Sequence, residues 1–212
     1  MARKGLNKKY PCEKDGIIRR QRLNDIAKEL FRKSIHVCSA FIPLFLQYAR
    51  LPVLFALAAA LVLYSLAELM RLKGKSIPLV SAVTAAAARK RDENRFVLGP
   101  VTLCAGIILA AILFEPFAAS IGIYALAFGD GLASLGGKLF GKVKIPFTQG
   151  KTVAGSLTCF AAIFISCFLV CFNAKIALCV ASVGMFIELL PLKDLDNLFI
   201  PLLLGLVAQS LL

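Results

Sequence analysis

The chain has 212 residues, of which 59% are hydrophobic, and its mean hydropathy is +0.80. Soluble globular domains rarely reach this apolar fraction, so the composition indicates an integral membrane protein of one domain. A net charge of +13 would favour nucleic-acid binding in a soluble protein, but in a membrane protein Lys and Arg mark cytoplasmic loops, and we exclude nucleic acid as a partner. Anionic lipid and an anionic substrate are the partners that this charge predicts.

The chain begins with a polar stretch, residues 1–16, which predicts a flexible tail. In residues 17–33, apolar side chains recur at helical spacing and basic side chains occupy the other face. This pattern is typical of an amphipathic helix lying on an anionic membrane surface. No apolar core with a small-residue cleavage site follows the first basic residues, so we expect no removable signal peptide. The sequence therefore predicts a basic cytoplasmic segment over 1–33 and a membrane-embedded domain over 34–212.

Seven apolar segments follow, which predicts an all-α integral membrane protein of about seven transmembrane helices. A transmembrane helix needs about 20 apolar residues, and several of these segments are shorter. Arg50, Leu51 and Pro52 separate the first two segments and predict a tight helical hairpin there. The segments lie at 34–49, 51–70, 96–114, 117–137, 155–172, 176–190 and 197–212.

The distribution of basic residues predicts how the chain is oriented in the membrane. Of the 25 Lys and Arg residues, all but Arg50 and Lys175 precede the first segment or lie in loops that share one side with it. Because Lys and Arg accumulate in cytoplasmic loops, the amino terminus is predicted to be cytoplasmic and, with seven spans, the carboxyl terminus lies outside. We expect a bacterial-type inner membrane as the location.

The sharpest candidate for a functional residue is Asp130, an acidic residue within the fourth apolar segment. It lies in the sequence Gly129-Asp130-Gly131. Charges inside apolar segments are costly and therefore mark functional sites. The flanking glycines remove side chains on both sides of the carboxylate, which permits a broken helix and close approach by a phosphate or a metal ion. Glycine-rich helix interfaces would explain the glycines but not the acid.

A second candidate site starts at Gly150-Lys151-Thr152 and continues to Ser156 at the beginning of the fifth segment. The triplet occurs in the phosphate-binding loop of soluble NTPases. The complete motif needs a preceding strand and an earlier glycine, where this chain has Ile145, so we reject that interpretation. A Lys and two hydroxyl groups at the amino end of a helix nevertheless favour phosphate.

Acidic residues gather again around the turn before the last segment. Glu188 ends the sixth segment, and Asp194, Asp196 and Asn197 occupy the turn. Hard oxygen ligands of this kind suit Mg²⁺, which in proteins bridges one or two carboxylates to substrate phosphates. An isolated Asp here would more commonly cap the helix that follows it, so both interpretations of Asp196 stay open.

Two further charged clusters flank apolar segments. Arg32, Lys33 and His36 open the first segment, where a basic anchor and a packed histidine are the simplest interpretation. Glu68 and Arg71 end the second segment and, three residues apart, predict an ion pair on one helix face. The cysteines within apolar segments lack a metal-ligand pattern and are interpreted as small apolar side chains.

The predicted orientation places the charged residues of these motifs at one end of the helices. Odd segments begin and even segments end on the cytoplasmic side, and scattered structural charges need not coincide there, whereas a single site for a cytosolic nucleotide requires it. The residues concerned are Arg32, His36, Glu68, Arg71, Arg95, Asp130, Lys151, Ser156, Glu188, Asp196 and Asn197.

In their order and spacing these motifs resemble the polyprenol kinase family, which includes dolichol kinase, phytol kinase and the CTP-dependent diacylglycerol kinase of fungi. Dolichol kinases are much longer and carry additional amino-terminal spans, so the resemblance favours a compact kinase of the phytol, diacylglycerol or bacterial polyprenol type. The matching motifs are Glu29-x-x-Arg32-Lys33-x-x-His36, Gly129-Asp130-Gly131-x-Ala133-Ser134, Lys151-Thr152-x-x-Gly155-Ser156, and Glu188 with Asp196-Asn197-x-x-x-Pro201.

The resemblance implies an enzyme that transfers a phosphoryl group from CTP to the hydroxyl of a membrane lipid, with Mg²⁺ as cofactor. Metal binding is expected from Asp130 and Asp196. The expected catalytic residues are Asp130, Lys151, Glu188 and Asp196. Binding of the nucleotide phosphates is expected from Arg32, Lys33, Gly129, Gly131, Lys151, Thr152, Ser156 and Asn197. The resemblance leaves open which lipid alcohol is the acceptor and how many chains associate.

Two other functions are alternatives. A phosphatidate cytidylyltransferase also uses CTP in a multi-span membrane domain, but of its carboxyl-terminal signature this chain has only Lys193-Asp194, with no glycine pair after it. A transporter would need polar residues near the bilayer midplane and on both sides, whereas here they concentrate on one. Both alternatives are weaker than the lipid kinase.

Overall fold

The computed structural model of the chain describes residues 11–75, 84, 95–148 and 150–212. Within these ranges, side chains are described at residue 24 and from residue 26 onward. Its regular elements are helices, which confirms the predicted all-α class; Lys144 and Thr152 form an isolated antiparallel bridge. The principal helices are α1 (Pro11–Cys38), α2 (Ile42–Leu72), α3 (Gly99–Leu113), α4 (Pro116–Tyr124), α5 (Gly131–Phe140), α6 (Val153–Cys171), α7 (Ala174–Leu189) and α8 (Asp196–Leu211).

Helix α1 is longer than the amphipathic helix predicted over 17–33. It begins at Pro11, inside the predicted tail, of which residues 1–10 lie outside the described part of the chain. It also continues past residue 33 to Cys38, across the predicted boundary between the two parts. Its last turns bury Lys33 and His36 almost completely. The end of α1 therefore belongs to the interior of the bundle.

The bundle packs around a core of small and branched apolar side chains. Helix α6 lies against α5 and α7, and α8 lies against α3, α4 and α7. Ile107, Ile121, Leu126, Ile163 and Leu204 are completely buried and come from α3, α4, the stretch after α4, α6 and α8. Because five parts of the chain contribute to one core, the helices hold each other in a defined register.

The predicted hairpin between the first two apolar segments is a sharp kink inside α2. Ala49 has non-helical backbone angles (φ −147°, ψ 63°) and lies three residues before Pro52. Proline has no amide hydrogen to donate to the carbonyl four residues earlier, that of Tyr48, and its ring crowds that carbonyl. The helix therefore breaks just before Pro52, close to where the sequence predicts the reversal.

Side-chain contacts define two ends of the bundle and show that the chain reverses at this kink. At one end, Glu68 accepts a hydrogen bond from the backbone of Val97 at 2.9 Å, just before α3, and His36 lies beside Val97. At the opposite end, Arg50 donates to the carbonyl of Ala111 at 2.5 Å, near the end of α3. The chain therefore leaves the first end after His36 and returns to it at Glu68. We call this first end the site end.

Within the described residues, three stretches are long and apolar enough to cross a membrane: Ile26–Leu72, Pro116–Phe140 and Val153–Cys171. Gly99–Leu113 and Asp196–Leu211 are apolar but shorter. The chain is thus a helical membrane protein by composition and helix length. The predicted number of about seven crossings stays a prediction, since the first of the long stretches folds back on itself and several helices are short.

The helix is not broken at Gly129-Asp130-Gly131, although the glycines would permit a break there. The chain from Pro116 to Phe140 is one continuous helix in which Ala125–Asp130 form a π-helical stretch. A π turn inserts an extra residue into the helix, and such turns are frequent at functional sites. The helix is thus widened rather than broken at this point, and Asp130 remains at the site end.

Close backbone contact between α4 and α8 gives a first testable prediction. A Cβ atom at Gly122 would overlap the carbonyl oxygen of Pro201 and lie 3.1 Å from the backbone nitrogen of Gly205. Neither group can rotate away, so we expect Gly122→Ala to lower the free energy of unfolding by about 1–3 kcal/mol, as overpacking does. Gly99→Ala is the control, because a Cβ there meets nothing within 4 Å. Denaturant unfolding in detergent micelles measures the stability of both variants. Equal unfolding midpoints for Gly122→Ala and Gly99→Ala would contradict the close contact at Gly122.

Candidate active site

A polar cavity of about 360 Å³ opens at the site end, between α1, α5 and the amino end of α6. Four basic and four acidic side chains line it, together with glycines and hydroxyl groups. The cavity brings together motifs that are far apart in the sequence. Its lining residues are Glu29, Arg32, Lys33, Asp130, Ala133, Ser134, Gly137, Lys138, Gly150, Lys151, Thr152, Gly155, Ser156, Glu188 and Asp196.

Asp130 lies at the end of the π-helical stretch and is held by two side chains of α1. Its Oδ2 accepts a hydrogen bond from Lys33 Nζ at 2.5 Å and lies 3.0 Å from His36 Nδ1. Only 6% of Asp130 and 3% of Lys33 are exposed, so the pair is desolvated. Burying either charge without the other would be costly. The partner of Asp130 is therefore a basic residue 97 positions earlier in the chain.

Lys151 lies at the amino end of α6 and pairs with Glu188 from the end of α7. Its Nζ donates to Glu188 Oε2 at 2.5 Å and lies 3.3 Å from the carbonyl of Leu190. The side-chain oxygen of Thr152 caps α6 by accepting a hydrogen bond from the backbone of Gly155 at 3.2 Å. The positive end of the α6 dipole thus faces the cavity beside a lysine, an arrangement that favours phosphate.

Glu29 organises the third charged cluster. Its Oε1 accepts hydrogen bonds from Arg32 Nη2 at 2.7 Å and from the Ser134 hydroxyl at 2.9 Å, and its Oε2 lies 4.0 Å from Lys138 Nζ. Arg32 also lies 3.7 Å from Asp194. Glu29, Ser134 and Lys138 were absent from the predicted binding and catalytic residues. Glu29 and Ser134 belong to the matching motifs, and this was the feature of the sequence that could have identified them as cavity residues.

Asp196 differs from the other acids of the cavity. Among the described residues it has no ion-pair partner, and its Oδ1 accepts a hydrogen bond only from the backbone of its neighbour Asn197 at 2.9 Å. It is the first residue of α8, before the apolar part of that helix, and its side chain is not the helix cap, so only its predicted role as a metal ligand stays open. Burial raises the pKa of Asp196 to about 7, and the nearby Asp130 carboxylate adds to this effect.

The acidic side chains of the cavity suit Mg²⁺ only if the substrate phosphates supply part of its ligands. Among the described residues, no three His, Cys, Asp or Glu side chains are close enough to hold a metal ion together. Asp130 is already bound by Lys33, so its predicted role as a metal ligand stays a prediction without geometric support. Mg²⁺ often uses one or two carboxylates and substrate phosphates, and the unpaired Asp196 suits that mode.

Three residues predicted to bind phosphate do not line the cavity. Asn197 donates from its amide to the carbonyl of Gly99 and to the hydroxyl of Thr102, both at 3.2 Å, and so joins α8 to α3. Gly129 faces Ile163, where an added Cβ would lie 2.7 Å from Cγ1. Gly131 faces α1 in the same manner. These three residues lie in contacts between helices, and their predicted role in phosphate binding stays a prediction without geometric support.

The predicted ion pair between Glu68 and Arg71 is confirmed, with a distance of 2.7 Å. Glu68 is fully buried and also binds the backbone of Val97, while Arg71 donates to the carbonyl of Arg95 at 2.8 Å. These contacts tie the end of α2 to the chain before α3. Neither residue lines the cavity, so the pair supports the site end without belonging to the site.

Comparison with known proteins identifies relatives of the chain. It is 30% identical over 190 residues to an uncharacterised protein of Methanocaldococcus jannaschii, covering 85% of this chain and 92% of that protein. It is 30% identical over 153 residues to a probable phytol kinase 1, chloroplastic, of Oryza sativa subsp. japonica, covering 63% of this chain and 47% of that protein. It is 29% identical over 213 residues to a probable phytol kinase, chloroplastic, of Zea mays, covering 86% and 67%.

The chain thus spans about half the length of the rice phytol kinase that it matches. No protein-family model matches the chain, and no solved structure matches it. The relatives that have a functional name share one name, that of phytol kinases from plant chloroplasts.

Proposed function

Because the chain belongs to the family of the phytol and other polyprenol kinases, we propose that it transfers the γ-phosphoryl group of CTP to the hydroxyl group of a membrane lipid. The observation that carries this proposal is the polar cavity at the site end, where eight of the predicted site residues meet. The acceptor is an alcohol of the phytol, polyprenol or diacylglycerol type. The proposed site faces the cytoplasm, because the distribution of Lys and Arg in the sequence assigns this end of the helices to the cytoplasmic side.

The amino end of α6 is the proposed binding site for the nucleotide phosphates. Lys151 and the positive end of the α6 dipole would bind one part of the triphosphate, and the Ser156 hydroxyl lies one turn further along the same helix. Arg32 and Lys33 approach from α1 across the cavity. Each of these bases is held by an acid within the site, so the bases are already oriented before a nucleotide arrives.

The charge of the cavity explains why the site would use a metal ion. The four basic side chains that line it are balanced by four acidic ones, so a triphosphate would meet no net positive charge among the described lining residues. Mg²⁺, held by Asp196 and the phosphates, would neutralise charge that develops on the transferred group. The side chains of the protein then position the reactants, which accounts for most of the catalysis of phosphoryl transfer.

In the proposed reaction, the lipid oxygen forms a bond to the γ-phosphorus and the bond from that phosphorus to the bridging oxygen breaks. The proton of the hydroxyl passes to the solvent or to the phosphate, and CDP leaves. Lys151 neutralises charge on the leaving phosphate, and Lys33, fixed by Asp130, lies on the side of the cavity nearest α1.

Purified protein in lipid nanodiscs, supplied with Mg²⁺ and radiolabelled nucleotide, tests the proposal. We expect label from the γ-position of CTP to appear in a phosphorylated lipid when phytol, a short polyprenol or diacylglycerol is present, and a comparison with ATP defines the donor. Lys151→Met is the inactive control. Transfer of the CMP moiety to phosphatidate, without phosphorylation of any alcohol, would overturn the proposal in favour of a cytidylyltransferase.

A further inference from the structure

A second, smaller opening lies beside the polar cavity, between the end of α1 and the start of α3, and we call it the recess. Its exposed wall surface is mostly apolar, although Arg32, His36 and Asp194 also line it, and it has an open volume of about 30 Å³. Helices α1 and α3 do not pack closely against each other, which leaves this gap between them. The residues that line the recess are Arg32, Ile35, His36, Val97, Gly99, Pro100, Leu103 and Asp194.

The recess and the polar cavity share a wall. Arg32 lines both, and the contact between His36 Nδ1 and Asp130 Oδ2, at 3.0 Å, separates them, because His36 lines the recess and Asp130 lines the cavity. A group bound in the recess would therefore be one side chain away from the phosphates in the cavity. Apolar walls on one side and charged walls on the other suit a molecule with a polar head and an apolar body.

His36 is 4% exposed, and among the described residues its side chain has no well-aligned hydrogen bond. Its Nδ1 lies 3.0 Å from the Asp130 carboxylate, which is the partner of that atom. A carboxylate beside Nδ1 favours the tautomer with hydrogen on that atom, which leaves Nε2 as an acceptor. Buried polar groups normally have partners, and Arg32 Nε, in the wall between the two openings, has none among the described residues.

We propose that the recess between α1 and α3 binds the lipid alcohol, with the hydroxyl group hydrogen-bonded to His36 at the wall of the polar cavity. This inference rests on the proposed function. The open volume of about 30 Å³ accommodates the hydroxyl-bearing carbon, and the hydrocarbon chain leaves the recess along the gap between the two helices. Leu98, next to the recess, is half-exposed and would face that chain. His36 is then a catalytic residue that orients the attacking oxygen toward the γ-phosphate.

Gly99 allows the recess to be filled without disturbing the core, because a Cβ there meets nothing within 4 Å. We expect Gly99→Leu to raise the KM for the lipid alcohol at least tenfold and to leave the KM for the nucleotide unchanged. His36→Gln, whose amide can still accept a hydrogen bond, should lose less activity than His36→Leu. Cys179→Leu, which adds bulk at an exposed position of α7, is the control. An unchanged KM for the lipid in folded Gly99→Leu would overturn the inference.

Crosslinking separates this inference from the proposed reaction. A long-chain alcohol with a diazirine near its hydroxyl should label Ile35 or Leu103 of the wild-type protein, and the labelling should disappear in Gly99→Leu. Labelling of these residues without phosphorylation of any alcohol would support the site and overturn the proposed reaction. Phosphorylation with labelling elsewhere would support the reaction and overturn the site.

Discussion

Replacing Asp130 by Asn is expected to lower kcat by about 10²–10³-fold, the loss typical when a preorganised electrostatic element of an active site is removed. The carboxylate holds Lys33 and lies against His36, so the substitution releases both side chains that face the reacting groups. The single-turnover rate with labelled nucleotide measures the effect. Glu115→Gln, the same change at an exposed position, is the control and should remain active.

The same substitution should also destabilise the protein, which the sequence pattern did not predict. Lys33 would remain buried without its counter-charge, and breaking a buried pair in this way costs about 3–5 kcal/mol. A double variant, Lys33→Met with Asp130→Asn, should recover most of the stability but none of the activity. If Asp130→Asn is as stable as the wild type and fully active, the buried pair contributes neither to stability nor to catalysis.

The second large effect is expected for Lys151→Met. This variant keeps the length of the side chain but removes the charge at the amino end of α6, and we expect kcat/KM for the nucleotide to fall by about 10²–10³-fold. The KM for the lipid should change little, because Lys151 does not line the recess. Lys175→Met, at an exposed position near the start of α7, is the matched control.

Variants of Glu188 show whether the loss of activity in Lys151→Met comes from the missing phosphate contact or from the broken ion pair. In Lys151→Met the Glu188 carboxylate loses its partner, which lies 2.5 Å away in the intact protein. If Glu188→Gln is added to Lys151→Met and activity returns, the lysine serves only to neutralise the acid, and the proposed phosphate contact is wrong. We expect activity to stay low in the double variant, whereas Glu188→Gln alone keeps the Lys151 charge available to the nucleotide.

The sequence was sufficient to predict the helical membrane class and most of the cavity residues. Composition establishes the class, because an apolar fraction of this size is incompatible with an ordinary soluble surface. Asp130 stands out as a charge within an apolar segment, since burying it without a functional reason is costly, and Lys151 stands out by its place in Gly150-Lys151-Thr152 before the fifth segment. The reversal near Pro52 was also predictable, because the effect of proline on a helix is local.

Only the tertiary structure shows which charged residues of the predicted site pair with each other. It also shows which predicted residues do not line the cavity. Lys33 and Asp130 are 97 positions apart, and Lys151 and Glu188 are 37 apart, so no local spacing relates them. Asn197 and Gly129 fit the motif equally well, yet the rotation of their helices turns the first toward α3 and the second toward Ile163. The rotation of each helix about its axis depends on the packing of the whole core. No single sequence motif therefore determines which way its residues face.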